Sequence, residues 1–240
     1  LGLFPPAALQ PFQQGGHLWG LPVELEPVLL VANTDLLRQA GQPLPSSSWT
    51  WHDFDDLLDK LNRNSQSVGE TVGFVDPQRL GLLPYVVGRV GSLYDRQQGR
   101  PLLERAEVAE ALVAYAGLLR GQGIPAAVFG DPDAQRALAA GGKAGLWVET
   151  ASSGAWQQAD FEAALLPFPQ GAVPATPVMA RGLFVSQAAG QPEAAWAWVR
   201  FVALRGLPTG VGGSLPALRR ALEDRLSNDE AMRQAVQHMA

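Results

Sequence analysis

Apolar positions along this chain fall into two kinds of stretch, short solid runs and longer periodic ones, and the two alternate. "VLLVA", from Val28 to Ala32, is a solid run between Pro27 and Asn33, which predicts a strand buried on both faces. The segment before it reads as loop-like. A short helix follows, capped near Asn33 or Thr34 and closed at Gly41. In "TWHDFDDLLDKLNRN", Trp51, Phe54, Leu57, Leu58 and Leu61 share one helical stripe, and Thr50 with Asp53 three residues on has the form of a capping box. "TVGFV", Thr71 to Val75, reads as a strand. Leu102 to Gly121 reads as a helix whose apolar face holds Val108, Ala111, Leu112, Tyr115, Leu118 and Leu119. Asp131 and Pro132 open a short helix that stops at Gly141 and Gly142, and a strand follows from Ala144 to Val148. "FEAALLPFP" and "GLFVS" are two further strands, the second leading into the helix of "GQPEAAWAWVRFVALRG". The tail from Pro216 reads as helical with an interruption at Ser227 and Asn228. Strands that alternate with helices predict an α/β architecture with a largely parallel sheet.

Composition narrows the function classes. With 240 residues, 47% of them hydrophobic, the chain can build a sizeable core. Its net charge is −5, and its basic side chains are scattered singly, with Lys60 and Lys143 the only lysines. Nothing there tracks a phosphate backbone, so nucleic acid is not expected as a partner. No window reaches the ~18 consecutive apolar residues of a membrane-spanning helix. The opening "LGLFPPAALQPF" lacks a basic region and a small-residue cleavage site, which leaves a cytoplasmic chain or one whose targeting segment has been removed. The absence of cysteine rules out disulfides, thiolate catalysis and Cys-bound zinc.

The familiar enzyme motifs do not assemble. His17, His52 and His238 lie far apart and none has a partner at i+4, so a helical two-His zinc site is not formed. "GGKA", Gly141 to Ala144, lacks the upstream glycine and following Ser/Thr of a phosphate loop and reads as a helix stop. "GVGGS", Gly210 to Ser214, has no preceding strand and reads as a turn. No G-x-S-x-G elbow occurs. No cofactor is expected. Glu24 and Glu26 remain: on a strand they would face one side and repel, and in a loop they would diverge. They read either as solvated carboxylates or as an acidic pair of the kind glycoside hydrolysis uses.

The segment "GGHLWGLPVELEPVLLVANTDLLRQAGQPLPSSSWTWHDFDDLLDKL", Gly16 to Leu61, resembles the signature of extracellular solute-binding proteins of carbohydrate ABC importers. There a G-K-L-Y-G-L-P turn leads into a strand ending Y-Y-N-K-D-L-F, then K-A-G-L, a Pro-rich loop and T-W-D-E-L-L-A. "ALAAGGKAGLWV", "ALLPFPQG", "ATPVMARGLFVSQAAGQPEAAWAWVRFV" and "GGSLPALRRALED" resemble later family segments in the same order. The resemblance implies a class II-like periplasmic binding protein fold, two α/β lobes with hinge crossings, the first lobe incomplete. It places residues 1–26 as a remnant of lobe 1 and the first crossing, 27–177 as lobe 2, 178–213 as a lobe 1 segment and 214–240 as a return to lobe 2. Crossings are expected near Glu24 to Pro27, Thr176 to Gly182 and Gly212 to Pro216, and the chain is expected to be a fragment or a trimmed product.

The resemblance also implies a role. It predicts a carrier rather than an enzyme, which captures a small polar ligand, foremost a sugar, in an interlobe cleft and delivers it to the transmembrane subunits of an ABC permease. The expected carrier is a monomer in the periplasm or lipid-anchored at the cell surface. Glu26 aligns with the glutamate that the family's maltose-binding members present to sugar hydroxyls, and Glu24 lies beside it. Asp76 and Gln78 follow one strand and Glu149 another, at the strand ends where α/β crevices collect ligands. Arg181 in the second crossing can fork to a hydroxyl pair or a carboxylate. Where the family often carries G-P-W, with the Trp stacked on a sugar, this chain has "ETA" at Glu149 to Ala151. Trp147 is expected in the core, and Trp196 with Trp198 in helix packing. Alternatives are a receptor for a polyamine or polyol phosphate, and a glycan-active enzyme using Glu26 and Glu149.

Overall fold

The computed structural model describes residues 3–4, 6–68, 71–95, 97–121, 124, 126–150, 153, 156, 160–172, 177–205 and 211–212. In chain order these form α1 (Pro6–Leu9), β1 (Gln13–Gln14), β2 (His17–Leu18), β3 (Gly20–Asn33), α2 (Thr34–Gln39), α3 (Trp51–Val68), β4 (Val72–Val75) and α4 (Leu82–Val90). There follow β5 (Tyr94–Asp95), β6 (Arg100–Pro101), α5 (Ala106–Gly121), α6 (Ala126–Phe129), α7 (Pro132–Ala140), β7 (Ala144–Thr150), β8 (Ala163–Leu166), β9 (Val178–Phe184), α8 (Pro192–Arg205) and β10 (Val211–Gly212). The chain divides into two units, Leu1–Pro27 with Val178–Ala240, and Val28–Pro177. β3 belongs to both, Gly20 to Pro27 in the first and Val28 to Asn33 in the second. The expected tail helices, the return of 214–240 to lobe 2, Thr176 of the second crossing and residues 213–216 of the third lie outside the described residues.

In the first unit β3 is flanked on both sides by antiparallel neighbours, β9 from Gly20↔Phe184 to Pro27↔Val178 and β10 at Leu25↔Val211. This corrects the loop-like reading of the segment before Val28. Two prolines and two glutamates signal a loop locally, yet Pro27 sits at the end of the β9 ladder and Pro22 beside a bulge, the places where a missing N–H is tolerated. Phe4, Leu9, Leu21, Val23, Val199 and Ala203 form the core of this unit. Gly182 is required here: a Cβ on it would lie 2.0 Å from the ring of Phe12. Trp196 packs partly buried against this core. Trp198 does not pack as expected; it is 59% exposed, because it projects from a different face of α8 than Val199 and Ala203.

In the second unit β3 pairs antiparallel with β7 on one edge and β8 on the other, and β4 adds to β7 in parallel. The sheet is therefore mixed, a correction to the largely parallel sheet expected from alternation: β3 runs against β4, β7 and β8, and among the described strands only β4 and β7 pair in parallel. Local helix signals hold. Asn33 Oδ1 accepts from the N–H groups of Asp35 and Leu36, and Asp131 Oδ1 caps α7 through Asp133 and Ala134. Asp53 Oδ2 accepts from the Thr50 N–H and hydroxyl, both at 2.8 Å. The helix expected from Leu102 begins instead at Ala106, because Leu102 N–H is drawn to Leu93 O next to the β5–β6 hairpin. The stripe on α3 is buried as predicted, with Phe54 edge-on to Trp49, Trp51 and Phe74.

Candidate functional site

The second unit holds a pocket of about 240 Å³ whose lining includes Gln78, Arg136, Trp147, Glu149, Trp156 and Phe161. Strand alternation builds one wall. Along β7, Val148 enters the core cluster while Trp147 and Glu149 face the other side. Trp147 is 4% exposed and edge-on to Phe161, ring centroids 6.1 Å apart. It is thus buried, as expected, and a wall of the pocket as well. Its indole N–H donates to Glu149 Oε2 at 3.4 Å. Burial pushes the Glu149 carboxyl above the ordinary carboxylate range, against the opposing effect of hydrogen bonds from Ser153 and Trp147. The buried indole N–H of Trp156 has no acceptor among the described residues. Arg136, on α7, is ion-paired with Asp133.

Gln78 is exposed and lines the same pocket from the loop after β4, but Asp76, two residues earlier, does not. Asp76 is fully buried. Its Oδ1 accepts from Leu80 N–H at 3.0 Å, and its Oδ2 from Gly81 N–H at 2.8 Å and from the Tyr115 hydroxyl. Asp76, expected at a strand end where ligands collect, is here taken up by the fold: its carboxylate accepts from the N–H groups of Leu80 and Gly81, just ahead of α4.

Directly after Gln78, Arg79 adopts φ 58°, the left-handed region, where a non-glycine residue is uncommon. Its guanidinium donates to Asp76 O at 2.6 Å and Phe129 O at 3.1 Å, and sits 5.4 Å over the Phe129 ring. Buried Gln135 of α7 donates to Phe129 O at 2.8 Å. The loop bearing Gln78 is thereby tied to α6 and α7. Arg79→Gly keeps the left-handed backbone and removes the tie; urea unfolding should show a loss of about 1–2 kcal/mol. Arg79→Val, whose branched side chain resists that conformation, should lose more.

The other candidates lie in the first unit. Glu24 and Arg181 are register partners across β3 and β9, and Arg181 Nη1 lies 3.1 Å from Glu24 Oε2. The pair is unequal: the Glu24 side chain is 3% exposed and that of Arg181 67%. Glu26, 2% exposed and two residues on, shares the strand face of Glu24. The structure thus brings together Glu24, Glu26 and Arg181 in one unit, and Gln78 and Glu149 in the other. Trp156 and Phe161 were missed in the sequence. Trp156 lies in a stretch without periodicity and Phe161 at the head of the run "FEAALLPFP", and only their aromatic character signalled them.

The model of the bacterial extracellular solute-binding protein family matches residues 2–206. No curated protein matches the chain. Among solved structures, the chain is similar to an ABC substrate-binding protein of Listeria monocytogenes in complex with cycloalternan, at TM-score 0.75 and 19% identity over 98% of this chain and 64% of that one. It is also similar to the GacH receptor of Streptomyces glaucescens, solved unliganded and with acarbose, at TM-score 0.72 and 18% identity over 98% and 63%. Maltose-bound MalE3 of T. maritima gives TM-score 0.66 and 19% identity over 99% and 63%. The chain therefore spans less than two thirds of the length of these proteins, and at such identities they establish the fold.

Proposed function

The chain belongs to the bacterial extracellular solute-binding proteins, and from that membership we propose that it is the substrate-binding component of an ABC importer for a small hydroxylated solute, a sugar or polyol. The observation that carries the reading is the pocket of the second unit, where a half-buried carboxylate and an amide face aromatic rings. Aromatic faces take the apolar side of a sugar ring, and Glu149 and Gln78 offer acceptors and donors for its hydroxyls. Glu24, Glu26 and Arg181 supply further charged groups suited to hydroxyl recognition. Solutes bound in the similar structures, among them maltose, D-mannitol and ribitol, support this chemistry.

Such a protein works by binding alone and passes its ligand, unchanged, to the transmembrane subunits of a permease, acting as a monomer. Its place is outside the cytoplasm, in a periplasm or held at the cell surface by a lipid anchor. The test is a thermal-shift screen of the intact protein with maltose, mannitol, ribitol and glucose. A bound solute at a hundredfold excess over its dissociation constant should stabilise the folded state by about 2.7 kcal/mol, and Glu26→Gln or Gln78→Ala should reduce the shift. If none of these solutes raises the melting temperature, the sugar and polyol reading fails. If a bound oligosaccharide is cleaved on long incubation, the carrier reading gives way to a glycan-active enzyme.

A further inference from the structure

The two charged side chains of the pocket in the second unit are not paired with each other. Among its described lining residues the charged side chains are Glu149 and Arg136. Arg136 is engaged by Asp133 on its own helix, and the causes of the Glu149 shift include no basic group. The loop after β4 contributes Gln78, and the segment beyond β7 contributes Ser153, Trp156 and Phe161, all uncharged. Among the described residues the half-buried Glu149 carboxylate therefore has no ion-pair partner of its own, and it shares the pocket with Trp147, Trp156 and Phe161. That combination suits a positive group: the carboxylate gains an opposite charge and a donor, and the ring faces attract a desolvated cation. At about 240 Å³ the pocket is smaller than the roughly 300–1,000 Å³ of sites for drug-sized ligands, which suits one ring rather than a chain of them.

We propose that this pocket takes an amine-bearing hydroxylated ring, an amino sugar, whose ammonium pairs with Glu149 while its ring lies against the aromatic wall. The inference rests on the reading of the protein as a solute receptor. It assigns Glu149 the choice between charged and neutral solutes, and it leaves hydroxyl contacts to Gln78 and its neighbours. Because burial raises the Glu149 pKa, the ionised form that pairs with an amine becomes dominant only above the ordinary carboxylate range. Affinity for an amine should therefore rise with pH through that region.

The test is isothermal titration of the intact protein with glucosamine, N-acetylglucosamine and glucose, with maltose and mannitol alongside. Glucosamine should bind about tenfold tighter than glucose or N-acetylglucosamine, and its advantage should grow from acidic to neutral pH. Glu149→Gln, with folding checked by circular dichroism, should erase the advantage. Equal or tighter binding of glucose or N-acetylglucosamine overturns the proposal, as does a preference that survives in Glu149→Gln or is flat with pH. In those cases binding of any neutral solute leaves the receptor reading standing. Absence of binding by all five compounds overturns the proposal, and, where ribitol fails as well, the sugar and polyol reading with it.

Discussion

Asp76→Ala is expected to destabilise the second unit by about 4 kcal/mol in urea unfolding. The substitution strips the acceptor from two backbone N–H groups, of Leu80 and Gly81, and from the Tyr115 hydroxyl, and each orphaned buried donor costs about 1–3 kcal/mol. Asp76→Asn keeps one carbonyl oxygen and should cost about half as much. The wild type and Asp76→Asn also separate in pH dependence. Burial raises the Asp76 pKa in the folded protein, an effect that outweighs its hydrogen bonds from Tyr115, Gly81 and Leu80. A folded pKa above the unfolded one means that the stabilising contribution is complete below the unfolded value and is lost as pH rises through the folded value. The wild type should therefore weaken over that interval, and Asp76→Asn should lack this part of the slope. A wild type whose stability is flat there would show that the carboxylate is held ionised by its three donors.

Phe54→Ala should cost about 4 kcal/mol, the range for a large aromatic removed from a core. Phe54 is 1% exposed and stands at the centre of an aromatic group, with centroids 5.8 Å from Trp49, 5.5 Å from Trp51 and 5.5 Å from Phe74. Its loss opens a cavity that three rigid rings cannot collapse into. Edge-to-face pairs with those rings add to the transfer term. Phe54→Leu keeps most of the volume and should recover about half of the loss. Denaturant midpoints followed by tryptophan fluorescence would report both, since Trp49 and Trp51 are in contact with the site. A loss below about 1 kcal/mol for Phe54→Ala would mean that the packing relaxes, against the close-packed arrangement of the unit.

What was legible in the chain was local or dense in motif. The caps at Asn33 and Asp131 and the Thr50–Asp53 box formed as read, because a side-chain acceptor and its N–H partners lie two or three residues apart. The α3 stripe was legible because helical periodicity repeats the same face over about three turns, from Trp51 to Leu61. The family was legible because the order of many short segments carries it. Gln78 and Glu149, expected from their places after strands, line the pocket of the second unit, in keeping with the rule about where α/β crevices open.

Tertiary structure decided the rest. Gly20 to Pro27 is a strand only because β9 and β10 bring partners from far along the chain, and pairing outweighs the loop propensity of Pro22 and Pro27. That same register sets Glu24 opposite Arg181. Asp76 turned inward because the start of α4 needed an acceptor, a demand invisible until the helix sits on the loop. Trp156 and Phe161 became a pocket wall by proximity alone. Sequence by itself determined the caps, the amphipathic faces and the family, since those depend on neighbours within a turn or on ordered motifs. Which carboxylate is spent on the fold and which faces a pocket depended on pairings between distant segments, whose free energy comes from burial and hydrogen bonds that exist only once the sheet has formed.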